Sequence, residues 1–294
     1  MERKGIILAG GKGTRLYPIT SAISKQLMPI YDKPMVYYPL CTLMLAGIRE
    51  ILIITRSKDL QNFKDLLGDG SQWGLDIQFK EQQNPNGIAE AFQIGEKFLD
   101  NKPSALILGD NIYYGNVLSQ QLKNAYKQIT GATIFVYYVS EPSLYGVVEW
   151  ENENNGLKRV LSIEEKPKFP KSNFAVTGLY FYDENVIDVS KTLRPSERGE
   201  LEITDLNQLY LKAGKLNVEV LGRGVAWLDT GNFDALLEAC FFIRTLEKRQ
   251  GLKISCPEEI AWRNGWINDD EMLNLALNLK KSGYGKYLEN LLNY

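Results

Sequence analysis

Residues 8–29, LAGGKGTRLYPITSAISKQLMP, set glycines, an arginine and a lysine in an order suited to holding phosphate. Gly10, Gly11 and Gly13 allow a sharp turn and let amide N–H groups approach a ligand without a Cβ in the way. Arg15 carries a planar fork that can grip two phosphate oxygens, and Lys25 is a compact point charge. The stretch fits neither common glycine-rich phosphate pattern. Its GK is followed by Gly13 where a P-loop has Ser or Thr, and a dinucleotide fingerprint begun at Gly11 finds Leu16 in place of its third glycine. A turn bearing two solvated cations is the plainer alternative.

Two further stretches offer carboxylates. LILGDN (106–111) puts Asp110 just past an apolar run, and AWLDTGN (226–232) puts Asp229 ahead of a helix start. Two carboxylates from separate strand ends suit one Mg²⁺, a hard ion that takes oxygen ligands and keeps several waters. Each alone equally suits a cap: Asp110 for a turn, and Asp229, Thr230 or Asn232 for the helix. SIEEKP (162–167) sets Glu165 and Lys166 at a strand end, either as a sugar-hydroxyl acceptor beside a phosphate cation or as a solvated charged terminus. PSERGELEITD (195–205) adds Arg198, on its own a surface-loop arginine. In FKEQQNPNGIAEAF (79–92), Gln82 carries the donor and acceptor needed to read a base edge, and Gly87 leaves room for a flat ring. Taken alone, NPNG is a turn before a helix.

Composition narrows the chemistry. The chain of 294 residues contains no histidine, which excludes His-based acid–base catalysis, Ser-His-Asp triads and His-rich metal sites. Any catalysis must rest on carboxylates, Lys, Arg and backbone amides, with or without a hard metal ion. A net charge of −2 argues against a nucleic-acid partner held by phosphate neutralisation. No apolar run approaches the roughly 18 residues of a membrane span, and GIILAG is too short for a signal-peptide core. Cys41, Cys240 and Cys256 are odd in number and scattered, which suits a reducing, cytoplasmic compartment without a disulfide framework.

The elements that must position these residues alternate in type. GIILAG (5–10), EILIIT (50–55), DIQFK (76–80) and SALILG (104–109) read as strands, with helix-like spacing over 34–47, 58–67 and 89–99 between them. This β-α-β alternation predicts a mostly parallel sheet with helices on both faces. Strands follow at 132–139, 145–151, 157–167 and 175–183, with ENENNG (151–156) as a polar hairpin turn. Helices are expected around 201–213 and 232–250, separated by the extended run KLNVEVLGRGVAWLD, and the tail from 257 reads as helical. The reading is one compact α/β unit: residues 1–240 carry the α/β domain, and 241–294 form a helical appendage for oligomer and regulatory contacts.

Taken together, these stretches resemble the sugar-nucleotide pyrophosphorylases, and within them the glucose-1-phosphate thymidylyltransferases. The family signature G-G-x-G-T-R-L-x-P-x-T…S-K-Q-L-x-P is present as Gly10 to Pro29. IYDKPMVYYPL, LGDGSQWGL, LGDNIYYG, YGVVE, EEKP, AVTGLYFYD, RGELEITD, AWLDTG and RQGLKISCPEEIA carry the likeness past residue 260. The resemblance implies a Rossmann-like three-layer nucleotidyltransferase fold with a central, mostly parallel mixed sheet. It implies transfer of a thymidylyl group from dTTP to α-D-glucose 1-phosphate, giving dTDP-glucose and pyrophosphate with Mg²⁺. By the same resemblance Leu8, Gly10, Gly11, Gly13, Thr14, Arg15, Lys25 and Gln26 wrap the nucleotide, with Arg15 and Lys25 on its phosphates. Gln82 and Gly87 meet the base, and Asp110 and Asp229 hold the metal. Gly146, Glu165 and Val176 bind the glucose, and Lys166 and Arg198 its phosphate. A homotetramer is implied, as is a second, regulatory nucleotide site built from Tyr114, Gly115, Arg223, Gly224, Glu259 and Arg263, of the kind inhibited by dTDP-L-rhamnose. Asn116 and Phe233 stand where the family commonly has His. Two rivals stay open: a transferase using UTP or another hexose 1-phosphate, and a non-catalytic sugar-nucleotide sensor.

Overall fold

A computed structural model of the chain describes residues 2–152 and 158–293. The expected hairpin turn at 151–156 lies outside the described residues, save its first two positions, which end a strand. The strands of the first half are β1 (Lys4–Ala9), β2 (Pro29–Ile30), β3 (Lys33–Pro34), β4 (Glu50–Thr55), β5 (Asp76–Glu81), β6 (Ser104–Leu108) and β7 (Asn111–Gly115). Those of the second are β8 (Ala132–Tyr138), β9 (Gly146–Asn152), β10 (Lys158–Glu165), β11 (Phe174–Tyr182), β12 (Leu216–Leu221) and β13 (Val225–Asp229). Between them run α1 (Ile19–Ala22), α2 (Tyr37–Ala46), α3 (Leu60–Leu67), α4 (Glu90–Ile94), α5 (Glu96–Leu99), α6 (Leu118–Lys127), α7 (Val186–Lys191) and α8 (Ile203–Lys212). The chain closes with α9 (Phe233–Gln250), α10 (Pro257–Arg263), α11 (Asp269–Asn278) and α12 (Gly283–Leu291).

One mixed sheet organises the fold. Strands β5, β4, β1 and β6 lie side by side in parallel. Antiparallel β11 joins them to β8, which pairs in parallel with edge strand β12. The β9–β10 hairpin attaches at the start of β11, where a register shift between Val176 and Tyr180 bends that strand. Both faces of the parallel strands are apolar because both are covered. Ile7, Ile51, Ile53 and Ile107 pack on one side against α2, α3, α6 and the C-terminal helices. Ile6, Leu52, Ile54 and Leu106, from the alternate positions, pack on the other against α4, α5, α7 and α8. The result is the three-layer arrangement that the alternation predicts.

Some details depart from the sequence reading. The helix expected over 89–99 is broken at Gly95, where a Cβ would stand 3.0 Å from Ala91 O and 3.2 Å from Ile6 Cδ1. Close seating on the sheet takes priority over a continuous helix there. The extended run 215–229 becomes two strands in different sheets, β12 and β13, divided at Gly222 and Gly224. By contrast, the helix expected around 232–250 is α9, and Cys256, Ala261, Met272 and Leu288 of the tail pack in the same core as the sheet.

Candidate active site

The register of the sheet brings the glycine loop and Asp110 together. β1 pairs with β6 so that Leu8 lies opposite Leu108, and Gly109 N donates to Leu8 O at 2.9 Å. The loop after β1 and the Asp110 turn therefore leave the sheet side by side, at the carboxyl ends of parallel strands where open α/β sheets bind ligands. Gly13 adopts φ +64°, and Thr20 Oγ1 donates to its carbonyl at 2.6 Å, fixing the turn before Thr14 and Arg15. Lys25 and Gln26 follow in a short 3-10 turn held by Val36 N donating to Gln26 O. A Cβ at Gly109 would come 2.9 Å from Gln26 Cγ, so this glycine admits Gln26 beneath the loop.

Asp229 arrives from far along the chain. β13 pairs antiparallel with β7, placing Asp229 opposite Asn111. Thr230 Oγ1 donates to Asp110 O at 2.9 Å and locks the junction. Asn111 anchors the ladder from beneath, accepting from Trp227 Nε1 at 2.6 Å and Gly178 N at 3.2 Å. Of the caps offered by the sequence, Asn232 is the one used, accepting from Ala235 N at the start of α9. Asp229 is thereby left with no capping duty.

The two carboxylates differ in electrostatic state. Burial pushes Asp110 up, but Lys25 Nζ at 2.6 Å and Asn111 Nδ2 at 3.0 Å outweigh it and hold the carboxyl below its ordinary value. Burial and then the charge of Asp110 push Asp229 up to about 6, against the opposing pull of Lys25, Arg15 and Lys166. Two half-buried carboxylates that repel each other are a fit for a divalent cation. Among the described residues no group of three or more His, Cys, Asp or Glu could hold a metal, so its remaining ligands would be waters and substrate oxygens. Arg15 reaches the same place, its Nη1 lying 3.2 Å from where a Cβ on Gly231 would sit.

A second cluster forms where β9, β10 and β11 meet. Glu165 pairs with Gly146 across the hairpin, and a Cβ on Gly146 would lie 3.4 Å from Glu165 Oε2 and 3.8 Å from Val176 Cβ. Thr204 Oγ1 donates to Glu165 Oε2 at 2.6 Å. Arg198 Nη2 lies 3.6 Å from Glu165 Oε1 and is held at 2.8 Å by Glu202. Lys166 takes φ +42°, its N–H donating to Tyr145 O at 3.0 Å, which turns its side chain out of the strand. Gly146, Glu165, Lys166, Val176 and Arg198 thus gather at one place. Tyr145, whose carbonyl accepts from Lys166, packs edge-on against Trp227 of the Asp229 strand with ring centroids 5.2 Å apart, so this cluster adjoins the carboxylates.

Gln82 continues the β4–β5 register, its N–H donating to Thr55 O at 2.8 Å. Its side chain fills the space that a Cβ on Gly10 would need. Gly87 has φ +107°, and a Cβ there would collide with the backbone of Leu201. Leu201 N donates to Asn86 O at 2.6 Å and Ala89 N donates to Leu201 O at 3.2 Å. The Gln82–Gly87 loop and the Arg198 loop are therefore bound to each other. Thr204, Glu90 and the Leu201 backbone escaped the sequence reading. Thr204 and Leu201 lie inside RGELEITD, but nothing in their type signals what they touch.

The residues expected for regulation fall in two places. Tyr114, Gly115, Arg223 and Gly224 lie at the outer end of the β7–β13 ladder, where Gly115 pairs with Val225 and Tyr114 OH donates to Gln250 Oε1 at 3.1 Å. Glu259 and Arg263 lie on α10 and bond to each other at 2.7 Å, with Tyr287 OH donating to Glu259. No hydrogen bond or ion pair among the described residues joins the two groups.

Comparison with known proteins agrees with this geometry. The nucleotidyl transferase family pattern matches residues 4–245. A Neisseria meningitidis serogroup A protein named glucose-1-phosphate thymidylyltransferase is 57% identical over 289 residues, 98% of this chain and 99% of its own. A Mycobacterium tuberculosis protein of the same name is 57% identical over the same shares of the two chains. Among solved structures, UDP-glucose pyrophosphorylase with UDP-glucose superposes with a TM-score of 0.74 at 25% identity, covering 85% of this chain and 100% of that one. With the family pattern spanning most of its length and relatives this similar over nearly all of it, the chain belongs to the nucleotidyl transferase family, among the glucose-1-phosphate thymidylyltransferases.

Proposed function

We propose that this enzyme transfers a thymidylyl group from dTTP to α-D-glucose 1-phosphate, releasing pyrophosphate and forming dTDP-glucose. The observation that carries the reading is the β7–β13 ladder, which sets Asp229 beside Asp110, Lys25 and Arg15 at the mouth of the glycine loop. Relatives of that name at 57% identity support the choice of substrates.

The chemistry suits a chain without histidine. A sugar phosphate has its second pKa at about 6 and is largely a dianion at neutral pH, so its oxygen attacks the α-phosphorus without a general base. The enzyme must align the two substrates and offset negative charge that builds on the α-phosphate oxygens. Leu8, Gly10, Gly11, Gly13, Thr14 and Gln26 form the cradle of the nucleotide, while Gln82 and Gly87 face its base. Arg15, exposed just after the glycine turn, sets its guanidinium against the α-phosphate. Lys25 is held at 2.6 Å by Asp110 and has further N–H groups to offer the phosphates. Gly146, Glu165 and Val176 receive the glucose, and Lys166 and Arg198 hold its phosphate in line. Asp110 and Asp229 would hold Mg²⁺, which when bound would supply positive charge to offset that of the phosphates.

We further assign residues 241–294 to oligomer and regulatory contacts, with a homotetramer as the assembly and the cytoplasm as the location. No helix among the described residues is long and apolar enough to cross a membrane. Regulation at Tyr114, Gly115, Arg223, Gly224, Glu259 and Arg263 requires a second nucleotide bound per chain, so a titration that stops at one sinks it.

The test is pyrophosphate release from purified protein with dTTP, glucose 1-phosphate and Mg²⁺, beside panels of other nucleotides and sugar phosphates. Release that needs both substrates and the metal, fastest with this pair, supports the proposal. Faster release with UTP or another hexose 1-phosphate reassigns the substrate. Silence from folded protein across all pairs favours a sugar-nucleotide sensor.

A further inference from the structure

Gln82 is nearly buried, with 4% of its surface exposed, and its amide is tied down on one side. Nε2 donates to Glu90 Oε2 at 2.7 Å, while Asn86 Nδ2 donates to Glu90 Oε1 at 2.8 Å. A carboxylate only accepts, so the end of the amide that faces Glu90 is its NH₂ group. The carbonyl Oε1 then points to the glycine loop, into the volume a side chain at Gly10 would occupy. An unrestrained glutamine exchanges donor and acceptor by a half turn about its last torsion. Here the half turn would press the amide oxygen against a carboxylate oxygen and leave both without a proton to share.

We propose that Glu90 is a specificity-determining positioning residue: by fixing the order of acceptor and donor on Gln82, it makes the site select thymine or uracil over cytosine. The inference rests on the reading of Gln82 as the base-facing residue. Thymine and uracil present N3–H, a donor, beside O4, an acceptor, which match the carbonyl and the second N–H of this amide. Cytosine inverts the pair, with N3 an acceptor and N4 a donor, and is matched only by the flipped amide. Glu90 is itself braced, since both its oxygens are engaged and the neighbouring Ala89 N–H is bonded to Leu201.

The test compares wild type with Glu90→Gln and Glu90→Ala, by equilibrium binding of dTTP and dCTP and by kcat/KM for pyrophosphate release with each. Glutamine at this position can accept from or donate to Gln82, so it tolerates either amide orientation. The dTTP:dCTP ratio is expected to fall at least about tenfold in Glu90→Gln, through the KM for the nucleotide, with the KM for glucose 1-phosphate unmoved. An unchanged ratio in folded variants overturns the inference, as does an equal loss for both nucleotides, which is what a merely structural role would give. Should both variants fail to fold, Asn86→Ala loosens Glu90 and is read in the same way. Wild-type protein that binds dTTP but transfers nothing would refute the proposed function, while the binding ratios would still decide the role of Glu90.

Discussion

Replacing Asp229 with Asn is expected to make the metal-free protein more stable while removing its activity. Burial and the neighbouring Asp110 raise the Asp229 carboxyl from 3.8 to about 6, and no hydrogen bond among the described residues offsets them. Its proton is therefore released more readily from the unfolded chain than from the native one. Below about pH 3 the group is protonated in both states and costs almost nothing. As pH rises from about 3 to about 7 the unfolded chain ionises first and native stability falls; above that window the whole cost is present. A gap of about two units corresponds to about 3 kcal/mol at pH 7.5 and about 1 kcal/mol at pH 4.5. Asparagine cannot ionise, so Asp229→Asn should gain those amounts over wild type. Urea unfolding with a chelator present, at both pH values, measures the two differences. The reasoning fails if the variant is less stable than wild type at pH 7.5, or if the difference is the same at both. Added Mg²⁺ should stabilise wild type more than the variant, and pyrophosphate release by the variant should fall by at least about 10². Stability given up at a carboxylate that a ligand later neutralises is the usual trade at an active site.

Arg15→Ala should lower kcat by roughly 10²–10³ while leaving stability within about 0.5 kcal/mol, since the side chain is exposed and makes no hydrogen bond or ion pair among the described residues. Unchanged turnover would remove Arg15 from the chemistry. Gly87→Ala forces a side chain into φ +107° against Leu201 and should cost about 1–3 kcal/mol in thermal unfolding. It should raise the KM of both substrates because Leu201 joins their loops; a change in one KM alone would contradict that coupling. Lys33, only 1% exposed at its side chain, bridges Glu247 at 2.8 Å and Asp32 at 2.6 Å, so Lys33→Ala leaves buried carboxylate charge less compensated. Chemical denaturation should show a loss of about 3–5 kcal/mol, with Lys33→Ala and Glu247→Ala non-additive.

Much of the scaffold was legible because its signals are local. EILIIT matches β4 residue for residue, and SALILG differs from β6 only by its final glycine. Their unbroken apolar runs reflect coverage on both faces, a property that the residues carry themselves. The strand β7 went unread because five residues after a turn carry little periodicity, and its partner β13 lies more than a hundred positions away. The break at Gly95 was hidden for the related reason that nearness to Ile6 and Leu52 sets it, not the helix's own pattern.

The sequence by itself determined the kinds of groups available: glycines without Cβ, two cations, strand-end carboxylates and no histidine, hence charge stabilisation without His-based proton transfer. Which of two equal-looking carboxylates stays ionised, and which one resists, only the tertiary structure decided. Asp110 has Lys25 and Asn111 as partners, whereas Asp229 meets Asp110 itself through the β7–β13 register. The same division separates Gln82, whose donor and acceptor are evident from its type, from Glu90, which orders them. Chemical capacity belongs to a residue, but protonation state and orientation belong to distances, and those distances are set by strand pairings between distant parts of the chain.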